Sequence, residues 1–165
     1  MNILKTIIIS EKYNMITIEL LKKKIEYNAR LIGLDLGSKR IGVAICDDKR
    51  KISTPFKTID YKNMQYFLDQ LTNIIYENNI SGIIVGFPIN MDGGLGRAAQ
   101  SVADKANIIS KNLKIDVVLW DERMSTKGAF NISKELDTNV TNRVKKIDEN
   151  AASFILQGAI DYLNN

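Results

Sequence analysis

Residues 82–88, GIIVGFP, form an apolar run that Gly86 and Pro88 bring to a stop. A strand with one wet face alternates apolar and polar residues, so a strand apolar throughout has to be covered on both faces. This run therefore predicts a central parallel strand, and with it a sheet carrying helices on both sides. The rest of the chain fits around it. LIGLDL, from Leu31, reads as another buried strand, and RIGVAICD as its hairpin partner. ISTPFKTI reads as a third strand, which Pro55 confines to an edge or breaks. DVVLWDE reads as a fifth, closing on Asp121 and Glu122. Helical spacing runs from Lys62 to Glu77 and from about Arg97 to Leu113. Ser125 is placed to cap a helix reaching about Leu136. A last helix starts near Asp148, with Ala151, Ala152, Ile155, Leu156, Ala159 and Leu163 inward. The polar, uneven stretch DTNVTNRVKK between them reads as a mobile loop.

The expected fold class is α/β: a five-stranded mixed sheet with helices on both faces, in one domain over residues 30–165. Residues 1–29 read as an N-terminal extension with a helix in TIELLKKKIEYNA, whose lysine triplet is a solvated face, and Met15 is an alternative start. No apolar run is long enough to span a bilayer and no signal-peptide pattern is present, so the expected compartment is the cytoplasm, with no membrane partner.

The 165 residues contain no histidine and one cysteine, Cys46. That removes Ser-His-Asp and Cys-His catalysis, histidine bases, disulfides within the chain and cysteine-based zinc sites. Cys46 falls in an apolar strand and reads as a buried thiol. What remains for catalysis is carboxylates, Lys, Arg, Tyr and backbone groups, and carboxylates favour hard cations such as Mg²⁺ and Mn²⁺. The net charge of +4 permits a polyanionic partner without requiring one.

The carboxylates fall at comparable places. Asp35 ends the first strand, Asp121 and Glu122 end the fifth, and Asp148 opens the last helix, where α/β sheets place their sites. Taken singly, each has a plainer reading. Asp148 caps a helix, and Asp35 is as readily a turn residue as a functional one. One of Asp121 and Glu122 is structural, because successive strand residues face opposite ways. Jointly, acids from distant parts of the chain could hold divalent ions. Basic residues flank them: Lys39 and Arg40 beside Asp35, Arg97 after the Asp-Gly-Gly loop, Arg123 after Glu122, and Arg143, Lys145 and Lys146 before Asp148. Such residues contact phosphates without reading sequence, or stay solvated, or pair with the acids; Arg123 is placed to order the site. Trp120, Tyr61 and Phe87 could stack on bases, but core packing is the simpler reading.

LIGLDLGSKRIGVA, IIVGFPINMDG, LWDERMST and KIDENAASFILQGAIDYL occur here in the order seen in the YqgF/RuvX family, which the chain resembles from about Leu31 to Leu163. Its members are described as Holliday junction resolvases and as pre-16S rRNA nucleases. The resemblance implies an RNase H-like fold and a Mg²⁺- or Mn²⁺-dependent nuclease. The substrate would be structured RNA such as pre-16S rRNA, or branched DNA. It implies Asp35 as first, bridging ligand, Glu122 or its neighbour Asp121 as second, and Asp148 as third, with two ions roughly 4 Å apart acting on water and leaving oxygen. Both monomer and homodimer are compatible with it. The chain departs from the family's usual pattern in its long N-terminus and in GLGRAAQ after Asp92. Two rivals use the same residues otherwise. A phosphate-clamping ATPase of the actin and sugar-kinase type would need a second such domain, and a non-catalytic nucleic-acid-binding module would not need the acids.

Overall fold

A computed structural model of the chain describes residues 12–13, 15–90, 92–124 and 140–165, with the side chains of 124 and 140–147 outside that description. Strands β1 (Arg30–Leu36), β2 (Arg40–Cys46), β3 (Ser53–Asp60), β4 (Ile80–Phe87) and β5 (Asp116–Asp121) form one sheet in the order β3-β2-β1-β4-β5. β4 pairs in parallel with β1 and β5, while β1–β2 and β2–β3 are antiparallel. The apolar run thus occupies the interior position its composition demanded. β3 is one of the two edge strands, and Pro55 sits where its register against β2 slips, next to Ala44. An edge strand can hold a proline because one side of its backbone makes no ladder bonds.

Four helices accompany the sheet among the described residues: α1 (Ile18–Lys24), α2 (Met64–Glu77), α3 (Arg97–Leu113) and α4 (Val140–Asn164). One cluster joins Ile32, Leu34, Val43, Ile83, Val85 and Leu119 of the strands to Phe67 and Leu71 of α2 and Ala106 and Ile109 of α3. The alternate strand residues Leu31, Ala44, Ile84, Val118 and Trp120 join Leu21 of α1 and Ile155, Leu156 and Ala159 of α4. The two clusters are the two faces of one sheet, separated by the period-2 alternation of each strand. Side chains such as Leu34, Leu71, Ile84 and Leu156 are fully buried, each contributing roughly 1.5–3 kcal/mol. Phe87 and Trp120 are core residues, 1% and 5% exposed. Cys46 is buried, its Sγ accepting the Leu31 N–H at 3.1 Å.

The Asn63 side chain caps α2 by accepting from Tyr66 N at 2.8 Å. α3 begins and ends where its periodicity set it, and Lys114 closes it in the left-handed conformation. The last helix differs from expectation. It starts at Val140, so residues 140–146 are helical rather than a loop. Val140, Val144, Ile147 and Ala151 continue the helical spacing, but the intervening Thr, Asn, Arg and Lys hide it. Asp148 is consequently in the third turn of α4 and does not cap it. The helix expected from Ser125 to Leu136 lies outside the described residues.

The described residues of the N-terminal segment pack on the rest of the chain. Ile18 and Leu21 are buried against the α4 side, Tyr13 and Met15 join the opposite cluster, and Ile16 N donates to Val117 O of β5 at 3.1 Å. Lys22 and Lys23 are exposed, while Lys24 pairs with Asp116 at 2.6 Å. No helix among the described residues is long and apolar enough to cross a membrane.

Candidate active site

On the α4 face, β1 presents Leu31 and Asp35 with Gly33 between them. Asp35 pairs in register with Gly42 of β2. A Cβ on Gly42 would overlap the carbonyl oxygen of Asp148, so only glycine lets α4 lie directly on the strand at this point. This close approach brings Asp148 beside Asp35. Gly86 of β4, on the other side of β1, plays the matching role: a Cβ there would come within 2.7 Å of Glu122 Oε1 and overlap the Ile155 side chain. Glu122 opens a short 3₁₀ turn after β5 and shares the α4 side with Asp35 and Asp148.

The electrostatics follow from that placement. Burial, and then the Asp148 charge, push Asp35 up to about 6. Burial, followed by the charges of Asp35 and Asp121, pushes Glu122 up to about 7. Among the described residues neither carboxylate has a hydrogen-bond donor or ion-pair partner. Like charges held together in a poorly solvated place resist ionisation.

Asp121, one residue away, has the opposite environment. It is 2% exposed, and by strand alternation it lies on the α2–α3 side with Leu119. Arg123 grips it through Nη2 at 2.7 Å, Nε at 3.0 and 3.1 Å, and backbone N at 3.0 Å. Burial acts to raise its pKa, but the Arg123 hydrogen bonds and charge outweigh burial and leave it below the ordinary value. Arg123 also donates through Nη1 to Asn90 O at 3.3 Å, tying the loop after β4 to the end of β5. That loop is itself folded by Gly93 N to Asn90 O and Gly94 N to Asp92 Oδ1.

Of the basic residues flanking the acids, Arg40 donates through Nε to Asp148 Oδ2 at 2.7 Å. Lys39 and Arg97 are exposed. Arg143, Lys145 and Lys146 lie in the first turns of α4, with side chains outside the described residues. Lys105 of α3 was not singled out by sequence, since it is one lysine on a polar helix face. Its Nζ donates to Gly37 O at 2.8 Å and sits 4.6 Å from the Tyr61 ring centre, fastening the turn that follows Asp35. Burial lowers its pKa.

The structure thus brings Asp35, Glu122 and Asp148 to one end of one sheet face and sets Asp121 apart. All their donor atoms are oxygens, which suits a hard divalent cation. Among the described residues no three acidic side chains stand close enough to cage an ion as placed, and Asp148 is directed to Arg40.

A five-stranded mixed sheet of this order with helices on both faces is the RNase H-like fold. The fold resembles that of a solved T. thermophilus RuvC in complex with a Holliday junction substrate, at TM-score 0.52 and 9% identity, over 77% of this chain and 91% of that one. Within that class the chain belongs to the RuvX family, whose model, described as Holliday junction resolvase, matches residues 29–162. A relative from Pelagibacter ubique, named as a proposed pre-16S rRNA nuclease, is 64% identical over 92% of this chain and its own whole length. One of the same name from Chelativorans sp. is 41% identical over 91% of this chain and 94% of its own.

Proposed function

We propose that this chain is an endonuclease that hydrolyses phosphodiester bonds in structured RNA, trimming the 5′ end of pre-16S rRNA during ribosome biogenesis. The observation that carries this reading is the pair Asp35 and Glu122. They are half-buried in each other's field, with no cation or donor beside them among the described residues. A folded protein keeps such a repulsive pair at a cost, and a site for a divalent cation explains it. Mg²⁺ or Mn²⁺ would be held by Asp35 and Glu122, with Asp148 joining them. When bound, the cation supplies an activated water and charge stabilisation at the leaving oxygen. The chain's own residues do the rest. Gly42 and Gly86 let α4 and Glu122 close over the strand ends and limit water there. Lys105 holds the Gly37 turn beside Asp35. Lys39 and Arg97, both exposed, offer charge to the phosphates on either side of the acids. Arg123 neutralises Asp121 and so keeps it out of the reacting set. The names of relatives at 64% and 41% identity support the RNA substrate.

The test is cleavage of a pre-16S rRNA leader and of a synthetic four-way DNA junction, with and without Mn²⁺, by wild type and Asp35→Asn. Wild type is expected to cut the leader only with Mn²⁺, and Asp35→Asn not to cut it. Faster cutting of the junction than of the leader would move the substrate to branched DNA. No cutting of either, or equal cutting by the variant, defeats the enzymatic reading.

A further inference from the structure

Arg40 does two things that a simple phosphate contact would not. It sits on β2 two residues before Gly42, on the face that carries Asp35, Glu122 and α4. Its guanidinium is bonded to Asp148 through Nε, with the Arg40 side chain 37% exposed and that of Asp148 21% exposed. Asp148 is the third carboxylate of the proposed cation site, and it reaches across 108 positions of sequence to make this bond. The same carboxylate oxygens therefore have two cationic claimants: a guanidinium fixed on β2 and a divalent ion held at Asp35 and Glu122. Arginine suits this position because it is always charged and its planar fork fits carboxylate and phosphate equally well.

We propose that Arg40 is a positioning residue that holds Asp148 aside and exchanges it for a substrate phosphate. Asp148 passes from Arg40 to the divalent cation, and the released guanidinium, half-exposed at the strand end, takes a phosphate oxygen of the nucleic acid. The inference rests on the cation-binding reading of Asp35 and Glu122. It adds a coupling: cation and nucleic acid each favour the other, because each removes one partner from the Arg40–Asp148 pair. No other basic side chain of the described residues is bonded to one of the three clustered acids.

The full-length protein is titrated with Mn²⁺ by calorimetry and by loss of the free-ion electron paramagnetic resonance signal, as wild type, Arg40→Gln and Arg40→Lys. Arg40→Gln is expected to bind Mn²⁺ about three- to fivefold more tightly, the size of one partly exposed ion pair. Arg40→Lys, which keeps the charge, is expected to stay near wild type and shows that the strand end tolerates replacement. Binding of a pre-16S rRNA leader is then measured against salt in EDTA and in Ca²⁺. The Arg40→Gln deficit is expected to be several-fold in Ca²⁺, with a salt slope smaller by about one, and slight in EDTA. Equal Mn²⁺ affinities in wild type and Arg40→Gln, or an RNA deficit of the same size in both conditions, overturn the exchange while leaving the cation site intact. Failure of both proteins to bind Mn²⁺ overturns the cation site itself and the exchange with it.

Discussion

The two faces of this sheet use the same strands for different ends. On the α2–α3 face every inward position of β1, β2 and β4 is a large aliphatic or aromatic residue, from Ile32 and Leu34 to Val85 and Phe87. On the α4 face the same strands alternate to Gly33, Gly42 and Gly86, and then to Asp35. The first face gains stability from buried apolar area. The second keeps buried apolar contacts at Leu31, Ala44 and Ile84 but gives up side-chain area at its three glycines, so that a helix can approach the backbone and bring a distant carboxylate to the strand ends. The neighbours Asp121 and Glu122 carry the contrast to single residues. The acid on the apolar side is neutralised by Arg123, and the acid on the glycine side is left with other acids. The carboxylate on the apolar side has a guanidinium partner, while Asp35 and Glu122 have none among the described residues.

The comparison breaks most visibly in cleavage. Asp35→Asn is expected to lower the Mn²⁺-dependent rate about 10²–10³-fold with no loss of thermal stability, because the charge it removes is one the fold resists. Ile83→Ala on the opposite face should do the reverse. It costs about 2–4 kcal/mol in denaturant unfolding, while the rate per folded molecule is retained. Gly42→Ala should lose on both counts, since the added Cβ meets the Asp148 backbone. About 1–3 kcal/mol of stability is expected to go, together with most of the activity, which unfolding curves and cleavage rates read separately. If Gly42→Ala cleaves normally, the close seat of α4 is not what positions Asp148.

Smaller effects sharpen the picture of the paired acids. Arg123→Ala takes the guanidinium away from the buried Asp121 carboxylate and should lower the denaturation midpoint, with much of the loss recovered in the double variant with Asp121→Asn. The pH dependence has a definite sign. Asp35 and Glu122 hold their protons more tightly in the folded chain, at about 6 and about 7, than at the ordinary 3.8 and 4.5. Their contribution to stability is therefore full below about pH 4 and lost as pH rises to about 7. Calorimetry in EDTA is expected to show this decline, on the order of 2 kcal/mol after allowing for solvent screening. It should be reduced in the Asp35→Asn, Glu122→Gln double variant.

Sequence periodicity carried most of the fold. The uninterrupted apolar run found its interior place, Pro55 its edge, and α3 its full span, because these features are local. The beginning of α4 was hidden, since polar residues fill the turns between Val140, Val144 and Ile147, and the capping reading of Asp148 went with it. The acids could be named from position, but which of Asp121 and Glu122 faces α4 depends on where β5 ends and its 3₁₀ turn begins. The bond from Arg40 to Asp148 and the bond from Lys105 to Gly37 join residues far apart in the chain, so no spacing reveals them. Gly42 and Gly86 were visible only as small residues among large ones. Their meaning came from the helix laid across them.

The claim at the centre is that Glu122, and not its neighbour Asp121, works with Asp35 at the cleavage site. Mn²⁺-dependent cutting of the pre-16S rRNA leader by Glu122→Gln and Asp121→Asn, each checked for fold by circular dichroism, tests it directly. Cleavage is expected to vanish in Glu122→Gln and to persist, within about tenfold of wild type, in Asp121→Asn, whose acid serves Arg123. A cutting Glu122→Gln beside a folded but inactive Asp121→Asn would contradict it.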